Sequence, residues 1–349
     1  MHKYSFAIKL LARLTVVLAC LLYYICSPIG GRPFYEFFLY GPRQSSEKCY
    51  QDFVRDCQAD EARPVRFASK NGNILDGYLF INKKATKTVL FHHGNGFNIT
   101  CLQGYVTIFL REGYSVLTYD YQGYGKSQGT AKVQNMIEDS DAATDYLEQT
   151  LHIKPTDIIQ CGGSFGTGLA ARQAGRHPCA ALILMSPYRS LYSVGRKRFP
   201  ILHLYPDSMM TMPNIDTLAA AKRVTAPIWM IHGDTDFLIP ISEADELAAG
   251  LVDKNLVYLR LKGHGHNDYF FAEVLESLHA FWLARPRPLK LDHHTAIDGA
   301  TFHSLKHFID ILQLFARYCS LDLACGSKLQ CLLQIYTRAH DRASDSDRV

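Results

Sequence analysis

The sequence predicts an α/β protein built on a mostly parallel sheet with helices on both faces. Short apolar runs alternate with segments of helical periodicity between about residues 64 and 284, a pattern typical of strands joined by crossover helices. The runs are almost continuously apolar, as expected of strands buried on both faces. Seven runs are interpreted as strands: ILDGYLFI, KTVLFHH, YSVLTYD, DIIQC, ALILMS, PIWMIH and LVYLRLK.

Helical patterns separate these runs, and glycine-rich or polar segments follow them directly. The predicted helices include CLQGYVTIFLREG, QNMIEDSDAATDYLEQTL, the segment after Ser164 and SEADELAAG. In parallel sheets, ligands bind where strands end at their carboxyl edges. Five such ends, HHGNGFN, DYQGYGKSQG, GGSFG, GDTDFLIP and GHGHND, therefore predict a single cleft.

The composition is that of an ordinary globular protein. The chain has 349 residues, of which 48% are hydrophobic and 20% charged, with a formal net charge of +4. That mild charge argues against a nucleic-acid partner, because no basic stripe interleaved with aromatic residues accompanies it. Cys49 and Cys57 lie close enough in sequence to form a disulfide if the protein is exported, or they remain two thiols. Cys319, Cys325 and Cys331 lack companion histidines, so no metal site is expected.

The amino end carries an apolar run behind a basic flank. After Lys3, Lys9 and Arg13, the run LTVVLACLLYYIC covers residues 14–26 and precedes the helix-stopping SPIGG. With preceding residues included, it approaches the roughly 20 residues that a bilayer requires. We therefore expect residues 1–30 to form a single membrane span. A cleaved signal sequence is the alternative, although no small-x-small cleavage site follows. The basic flank would place the body of the protein on the extracytoplasmic side.

The remaining organisation is predicted from changes in composition along the chain. Residues 31–63 form a connecting segment and residues 64–284 the main domain. A small cap, rich in aromatic, methionine and proline residues, is expected near 190–215. Residues 285–349 form a linker and a helical tail that packs on the body or contacts a membrane or partner. The last ten residues are expected to be disordered.

Two chemistries would use the glycine-rich turn CGGSFGTGLAA. One is a nucleophile elbow, in which Gly162-x-Ser164-x-Gly166 lifts a serine above the end of a sheet. The other is a dinucleotide fingerprint beginning at Gly166, but that glycine lies several residues beyond the strand DIIQC. No acidic residue follows the next strand, where SPYRSLY stands, and no G-K-[ST] completes a P-loop. The elbow is therefore the favoured interpretation.

A serine nucleophile needs a histidine base that a carboxylate orients, here in the chain order Ser, Asp, His. HGDTDFLIP offers Asp234 and Asp236, and GHGHND offers His264 and His266. Spacing alone ranks Asp236 and His266 only slightly above their neighbours. Both pairs lie in loops after predicted strands, so the elbow interpretation finds its partners in the required order.

The tetrahedral intermediate also needs hydrogen-bond donors in fixed positions. The backbone N–H of Phe165 is one candidate, and that of Asn95, in the glycine-flanked HHGNG segment, is the other. His92 and His93 are adjacent on a strand and point to opposite faces, so joint metal ligation is not expected. Neither a metal nor a cofactor is predicted.

The chain resembles the α/β-hydrolase superfamily, and more narrowly its amino-terminally anchored serine hydrolases. The resemblance rests on HGNG, DYQGYGKSQG, GGSFG, HGDTDFLIP and GHND, in that order over most of residues 64–283. By position, it implies that Ser164 is the nucleophile, Asp236 the acid and His266 the base. It also implies that residues 64–284 form an α/β-hydrolase domain, in which Asp120 shapes the cleft without transferring protons. Phe165 and Thr167 depart from the leucine and glycine usual in these relatives, a difference expected to alter the acyl pocket without removing a catalytic atom.

The expected function is therefore a membrane-bound serine hydrolase that acts on acyl esters or thioesters of lipid-like substrates through an acyl-enzyme. Such relatives include lysophospholipases, depalmitoylating thioesterases and serine aminopeptidases. A peptidase or amidase with the same triad is the alternative within the enzymes. A binding protein that has lost the chemistry is the alternative outside them, with an unknown protein partner.

Overall fold

The computed structural model describes residues 2–42, 44–96, 98–267, 277, 278 and 281. Within them, a single eight-stranded sheet has the order β1-β2-β4-β3-β5-β6-β7-β8. Its strands are β1 (Glu61–Ala68), β2 (Ile74–Ile81), β3 (Thr88–His92), β4 (Ser115–Tyr119), β5 (Ile158–Gly163), β6 (Ala181–Met185), β7 (Ile228–Gly233) and β8 (Leu256–Leu261).

The connections of the sheet place a crevice between β3 and β5. β2 runs antiparallel to both β1 and β4, whereas all pairings from β4 to β8 are parallel. From β3 the chain passes to β4 on one side and then returns to β5 on the other. This reversal is the topological switch point at which open α/β sheets bind ligands. The segments after β3 and β5, which contain Asn95 and Ser164, therefore meet at this point.

Helices cover both faces of the sheet. The described helices are α1 (His2–Ile25), α2 (Arg32–Leu39), α3 (Glu47–Asp56), α4 (Gln103–Arg111), α5 (Val133–Asp145), α6 (Gly166–Ala174), α7 (Leu191–Arg198), α8 (Thr217–Ala221) and α9 (Ile241–Ala249). Buried residues of α3 and α4 share one core cluster, whereas those of α5, α6, α8 and α9 belong to the clusters on the opposite face.

Alternation along each strand divides the core between the two faces. On β3, Val89 and Phe91 join the cluster under α3 and α4, whereas Leu90 joins the cluster under α5. On β6, Ile183 joins the first of these clusters, whereas Leu182 packs with α6 and α9. All five side chains are at most 1% exposed. A strand buried on both faces needs apolar residues at every position, which explains the continuous apolar runs in the sequence.

The structure confirms the predicted α/β class, and each of the seven predicted runs contains a strand. The sequence reasoning missed β1. This edge strand is half exposed, contains Pro64 and has no continuous apolar run, since only Val65 and Phe67 of its side chains are buried. Proline is tolerated at a sheet edge because one side of the strand has no partner. The other strands are identified by continuous apolar runs, and β1 has no such run because only one of its faces is covered.

The amino-terminal run forms the long helix α1, but the predicted membrane span is not supported. No helix in the described part of the chain is both long and apolar enough to cross a bilayer. Arg13 and the pair Tyr23 and Tyr24 leave only residues 14–22 as an uninterrupted stretch without charged or aromatic groups. A hydrocarbon core requires about 20 apolar residues.

The segment between α1 and the sheet contributes to the core. From the sequence, residues 31–63 are expected only to connect the amino-terminal run to the main domain. Within α3, Tyr50 and Phe53 are at most 3% exposed and pack against β2. Ser46 caps the helix by accepting a hydrogen bond from the backbone N–H of Cys49. Cys49 and Cys57 are both buried thiols, so the structure shows no disulfide between them.

A segment with little regular structure, residues 186–216, connects β6 to α8 where the sequence predicts a cap, and we call it the cap segment. An antiparallel bridge between Ser190 and Asp216 closes its base. It contains α7 and a 3-10 turn, Pro200–Leu204. Leu191 and Ile215 at its ends pack in the cluster that also contains Phe165. The predicted linker and helical tail, 285–349, including the expected disorder of the last ten residues, lie outside the described residues.

We predict that Gly166→Ala destabilises the fold and that Gly195→Ala does not. A Cβ at position 166 would collide with the backbone carbonyl oxygens of His92 and His93, which cannot yield as a flexible side chain would. At position 195 in α7, the nearest atom to such a Cβ is a Leu202 methyl carbon at 3.9 Å. Overpacking against backbone costs about 1–3 kcal/mol, whereas alanine in an open helix position gains up to about 1 kcal/mol. Urea unfolding of both variants measures the difference, and equal stabilities would contradict the close backbone approach at Gly166.

Candidate active site

Ser164 lies in a sharp turn between β5 and α6. Its backbone φ is 52°, in the left-handed region that non-glycine residues seldom adopt. The N–H of Ser164 donates to the Met185 carbonyl oxygen at 2.8 Å, which ties the turn to the end of β6. Its carbonyl oxygen accepts from the N–H and the hydroxyl of Thr167, at 3.0 and 2.6 Å, as the helix begins. The serine therefore has the strand-to-helix geometry of a nucleophile elbow.

The two glycines of the motif permit this turn for steric reasons. A Cβ at Gly162 would overlap the backbone of Gly166, and a Cβ at Gly166 would overlap the carbonyl oxygen of His92. Thr167, which departs from the pattern of the resembling family, is fully buried and uses its hydroxyl to bond Ser164. The glycines are thus required by the close approach of three backbone segments.

Asp236 and His266 are in direct contact, although they lie in different loops. The Nδ1 atom of His266 is 2.6 Å from Oδ2 of Asp236. An ionised carboxylate only accepts hydrogen bonds, so Nδ1 carries the proton and Nε2 is left as an acceptor. Asp236 is 6% exposed and His266 9% exposed, so water has little access to this contact.

The carboxylate of Asp236 is surrounded by donors. Its Oδ1 accepts the backbone N–H groups of Leu238 and Ile239 at 2.8 and 2.9 Å, and its Oδ2 also lies 3.2 Å from Nε2 of His232. Burial, the largest single influence, favours the neutral acid. The hydrogen bonds from His232 and His266, together with the Ile239 N–H, outweigh it and hold the pKa of Asp236 well below its usual range. Asp236 is therefore ionised at neutral pH.

The neighbouring candidates occupy other positions. Oδ1 of Asp234 accepts the backbone N–H of Gly263 at 2.6 Å, which closes the turn after β8. The ring of His264 is directed to the Lys262 carbonyl oxygen at 2.9 Å. Spacing left Asp234 and Asp236 nearly equivalent, and likewise His264 and His266. Of these four residues, the structure brings Asp236 and His266 together.

The end of β6 connects the serine turn to the histidine loop. Met185 accepts the N–H of Ser164, and the next residue, Ser186, donates its hydroxyl to the carbonyl oxygen of His266 at 3.0 Å. Ser186 has a φ of 51°, the same left-handed conformation as Ser164. Two consecutive residues of one strand end therefore position both loops. The sequence offers only a serine at the end of the predicted strand ALILMS as a signal for this role.

Asn95 belongs to a loop that packs directly on Ser164. A Cβ placed on Gly94 would lie 3.3 Å from Cβ and 3.8 Å from Oγ of Ser164, so glycine keeps this side of the hydroxyl open. The Asn95 carbonyl oxygen accepts from the Tyr124 hydroxyl at 2.8 Å and from Gly41 N–H at 3.1 Å. Its side-chain amide donates to the Leu39 carbonyl oxygen at 2.7 Å. None of these contacts uses the backbone N–H of Asn95, the predicted oxyanion donor.

His92 and His93 have separate environments. The ring of His92 lies between the hydroxyl of Tyr119 and the side-chain oxygen of Gln160, at 2.8 and 3.0 Å. His93 donates from Nδ1 to the Gly94 carbonyl oxygen, and its Nε2 lies 3.8 Å from Oδ1 of Asp120. Burial lowers the pKa of His92 to about 4 and that of His93 to about 3, so both are neutral. Among the described residues, no group of three or more potential metal ligands is present.

Asp120 lies fully buried beneath the Asn95 loop. It accepts the backbone N–H of Ile99 at 2.9 Å and the hydroxyl of Tyr50 at 3.2 Å. Burial raises the pKa of Asp120 to about 7, because these donors compensate only part of the lost hydration. The contacts connect α3 and the 3-10 turn Ile99–Cys101, which precedes α4, to the end of β4. This placement agrees with a residue that shapes the cleft.

We predict that Asp120→Asn weakens the pH dependence of stability between pH 5 and 8. The carboxyl is more easily protonated in the folded chain, where its pKa is about 7, than in the unfolded chain, where it is about 3.9. Its contribution to the free energy of unfolding is therefore complete below about pH 4 and is lost as pH rises through 7. Asparagine does not titrate. Between pH 5 and 8, the free energy of unfolding of the variant should therefore rise by roughly 1–3 kcal/mol relative to that of the wild type. Urea titrations at several pH values measure the gain, and a constant difference would refute it.

Comparisons with known proteins agree with this architecture. Residues 83–202 match a family model described as serine aminopeptidase, S33. Among solved structures, an esterase of Pyrococcus furiosus superposes with a TM-score of 0.58 at 21% identity, covering 70% of this chain and 97% of that one. An α/β hydrolase of Vibrio vulnificus gives a TM-score of 0.58 at 19% identity, over 69% and 88%. At such identities these structures establish the fold alone.

Curated relatives extend the similarity in sequence. The alpha/beta hydrolase domain-containing protein 17C of Xenopus tropicalis is 31% identical over 233 residues, which are 64% of this chain and 71% of that protein. Its mouse counterpart is 33% identical over 201 residues, or 56% and 59%. An uncharacterized protein of Mycobacterium tuberculosis is 31% identical over 208 residues, or 59% and 73%. With this identity and coverage, the chain belongs to the α/β-hydrolase superfamily, as a hydrolase related to these proteins.

Proposed function

We propose that this protein is a serine hydrolase that cleaves acyl esters or thioesters of lipid-like substrates through Ser164, His266 and Asp236. One observation carries the proposal. The 2.6 Å contact between His266 and Asp236 is connected through the end of β6 to a left-handed serine turn. A positive φ on serine costs about 1–2 kcal/mol and is retained mainly where function requires it. A turn with no chemical role would accept glycine at this position without that cost.

In the acylation step, Oγ of Ser164 attacks the substrate carbonyl carbon while Nε2 of His266 takes the hydroxyl proton. The N–H groups of Phe165 and Asn95 stabilise the resulting oxyanion. His266 then returns the proton to the departing alkoxide or thiolate, and the carbon bond to that group breaks. Asp236 holds the imidazole in the tautomer with Nδ1 protonated and stabilises the imidazolium that forms.

Deacylation repeats these roles with water as the nucleophile. His266 takes a proton from water, the hydroxide adds to the acyl carbon, and the proton passes to Oγ of Ser164 as the carboxylic acid leaves. The site therefore returns to its starting state with no cofactor in the cycle. The glycine at position 94 leaves room beside Oγ of Ser164 for the substrate carbonyl and then for the attacking water.

Apolar groups around the site support an acyl substrate. Phe237, which follows Asp236 directly, is 70% exposed, and Leu238 is 43% exposed. In the cap segment, Ile201 and Leu204 are also exposed, at 42% and 62%. Exposed apolar side chains that cluster on one part of a surface mark binding sites for apolar ligands or surfaces. An acyl chain would cover these side chains.

The amino-terminal helix supports a lipid surface as the source of that chain. The side chains of Leu11, Leu14, Val16 and Val17 on α1 are more than half exposed. At its end, the ring of Tyr23 packs at a tilt of 40° against Tyr205 of the cap segment, with ring centroids 4.7 Å apart. This contact places the end of α1 beside the cap segment. We infer that this surface contacts lipid and brings the site to its substrate.

A serine peptidase or amidase is the second candidate, because the matching family model is described as a serine aminopeptidase. The same triad cleaves amides, so the site geometry alone does not separate the two activities. The apolar side chains next to Asp236 favour the acyl substrate. A peptide amino terminus would instead require a carboxylate that faces the cleft.

We predict that purified protein hydrolyses p-nitrophenyl acyl esters with a preference for long chains, because the exposed apolar side chains gain buried area with each methylene. Rates are measured for chains of increasing length, beside an aminoacyl p-nitroanilide series. In Ser164→Ala, the rate should fall at least about 10³-fold. Cleavage of the anilides alone would favour the aminopeptidase, and no Ser164-dependent cleavage of either series would refute a hydrolase of these classes.

We predict that Asp236→Asn lowers kcat by about 10³–10⁴-fold with little change in KM, because an amide does not stabilise the imidazolium and favours the wrong tautomer. Asp234→Asn is the matched control from the same loop. Its side-chain oxygen can still accept the Gly263 N–H, so kcat should stay within about threefold of wild type. Equal losses in the two variants would contradict the assignment of Asp236.

A further inference from the structure

A second histidine shares the carboxylate oxygen that orients the proposed base. His232, in β7, is fully buried. Its Nε2 lies 2.9 Å from the Ile239 carbonyl oxygen and 3.2 Å from Oδ2 of Asp236. A carbonyl oxygen only accepts hydrogen bonds, so Nε2 of His232 carries a proton. This N–H therefore lies within reach of two acceptor oxygens, of which one belongs to the proposed catalytic acid.

This N–H completes the set of donors around Asp236. Oδ1 is held by two backbone N–H groups, from Leu238 and Ile239. Oδ2 accepts from His266 and faces His232. Without the His232 proton, Oδ2 and the Ile239 carbonyl oxygen would face each other with no donor between them. Two such acceptors repel at low dielectric, so the carboxylate would turn away from its present orientation.

Packing alone does not account for a histidine at this position. Nδ1 of His232 is buried and has no hydrogen-bond partner among the residues that the structure describes. A buried polar atom without a partner destabilises the folded chain, and an apolar side chain of similar size would avoid that loss. The other ring nitrogen must therefore provide a compensating function. Its contact with Oδ2 of Asp236 is such a function.

The geometry points to His232 as a positioning residue for the proposed hydrolysis: its Nε2–H fixes Oδ2 of Asp236 in the orientation that receives Nδ1–H of His266. This assignment rests on the proposed triad, but it does not depend on which acyl group the enzyme prefers. His232 acts on the reaction through Asp236 and does not touch the substrate. The role predicts a loss of rate at the serine with unchanged substrate binding.

The test compares His232→Gln with His232→Met in the full-length chain. The two side chains have nearly the same length and volume, but only glutamine places an N–H donor near the position of Nε2. One readout is the second-order rate at which a fluorophosphonate labels Ser164, and the others are kcat and KM for the best p-nitrophenyl ester. Because labelling needs the triad but no acyl specificity, it separates this assignment from the proposed substrate class.

We expect His232→Met to lower the labelling rate and kcat by about 10–100-fold with KM within about twofold of wild type, the range for losing a hydrogen bond to a charged group. His232→Gln should recover both rates to within about fivefold of wild type. Should the methionine variant fail to fold, His232→Asn replaces it, because its amide is one methylene too short to reach Oδ2. His232→Asn should then show the low labelling rate and low kcat expected of His232→Met.

Equal rates in the donor and non-donor variants would overturn the assignment, whether both are low or both match wild type. Such a result would leave His232 a packing residue. Wild-type protein that fails to label at Ser164 would overturn it as well, because no activated serine would exist to support. By contrast, labelling that follows the predicted order without cleavage of any acyl ester would refute the proposed substrate class and retain the role of His232.

Discussion

The left-handed backbone of Ser164 is the constraint on which the rest of the site depends. L-residues disfavour this conformation by about 1–2 kcal/mol, so contacts elsewhere must hold it. The N–H of Ser164 donates to the Met185 carbonyl oxygen, and the carbonyl oxygen of Ser164 accepts from Thr167 at the start of α6. Gly162 and Gly166 allow β5, α6 and the end of β3 to approach closely enough for both bonds. The turn therefore depends on contacts with β3 and β6, the strands on either side of β5, and the local sequence alone does not hold it.

The same sheet edge controls the charges of two buried aspartates in opposite ways. Asp236 receives two backbone N–H groups and faces two histidines, which together hold its pKa low despite burial. Asp120, with fewer compensating donors, has its pKa raised to about 7. The number and charge of the donors decide the outcome, because both carboxyls are almost completely removed from water. The first environment suits the role proposed for Asp236, since an ionised carboxylate can stabilise an imidazolium, whereas the second suits an acid that joins loops.

The amino-terminal region connects the two sides of the site. Its Leu39 and Gly41 bind Asn95 in the loop after β3, while Tyr35 packs edge to face against Phe199 of the cap segment. The loop predicted to donate to the oxyanion and the segment predicted to select the substrate thus contact one stretch of chain. Displacement of that stretch would alter both. Because α1 leads into this stretch, the exposed helix is connected along the chain to the loop after β3 and to the cap segment.

Much of this protein follows from its sequence, because central strands and crossover helices have strong local patterns. The continuous apolar runs predicted seven strands, and the order of GGSFG, HGDTDFLIP and GHGHND predicted which loops would meet. Edge strand β1 was missed since only one of its faces is covered, and a membrane span was expected where the structure supports none.

The sequence by itself determined the fold class and the chemical groups available at one sheet edge. Only the tertiary structure brought Asp236, and not Asp234, into contact with His266, showed His232 against the same carboxylate, and set the opposite pKa shifts of Asp236 and Asp120. Those outcomes depend on distances between segments far apart in the chain, and no local pattern of residues encodes such distances.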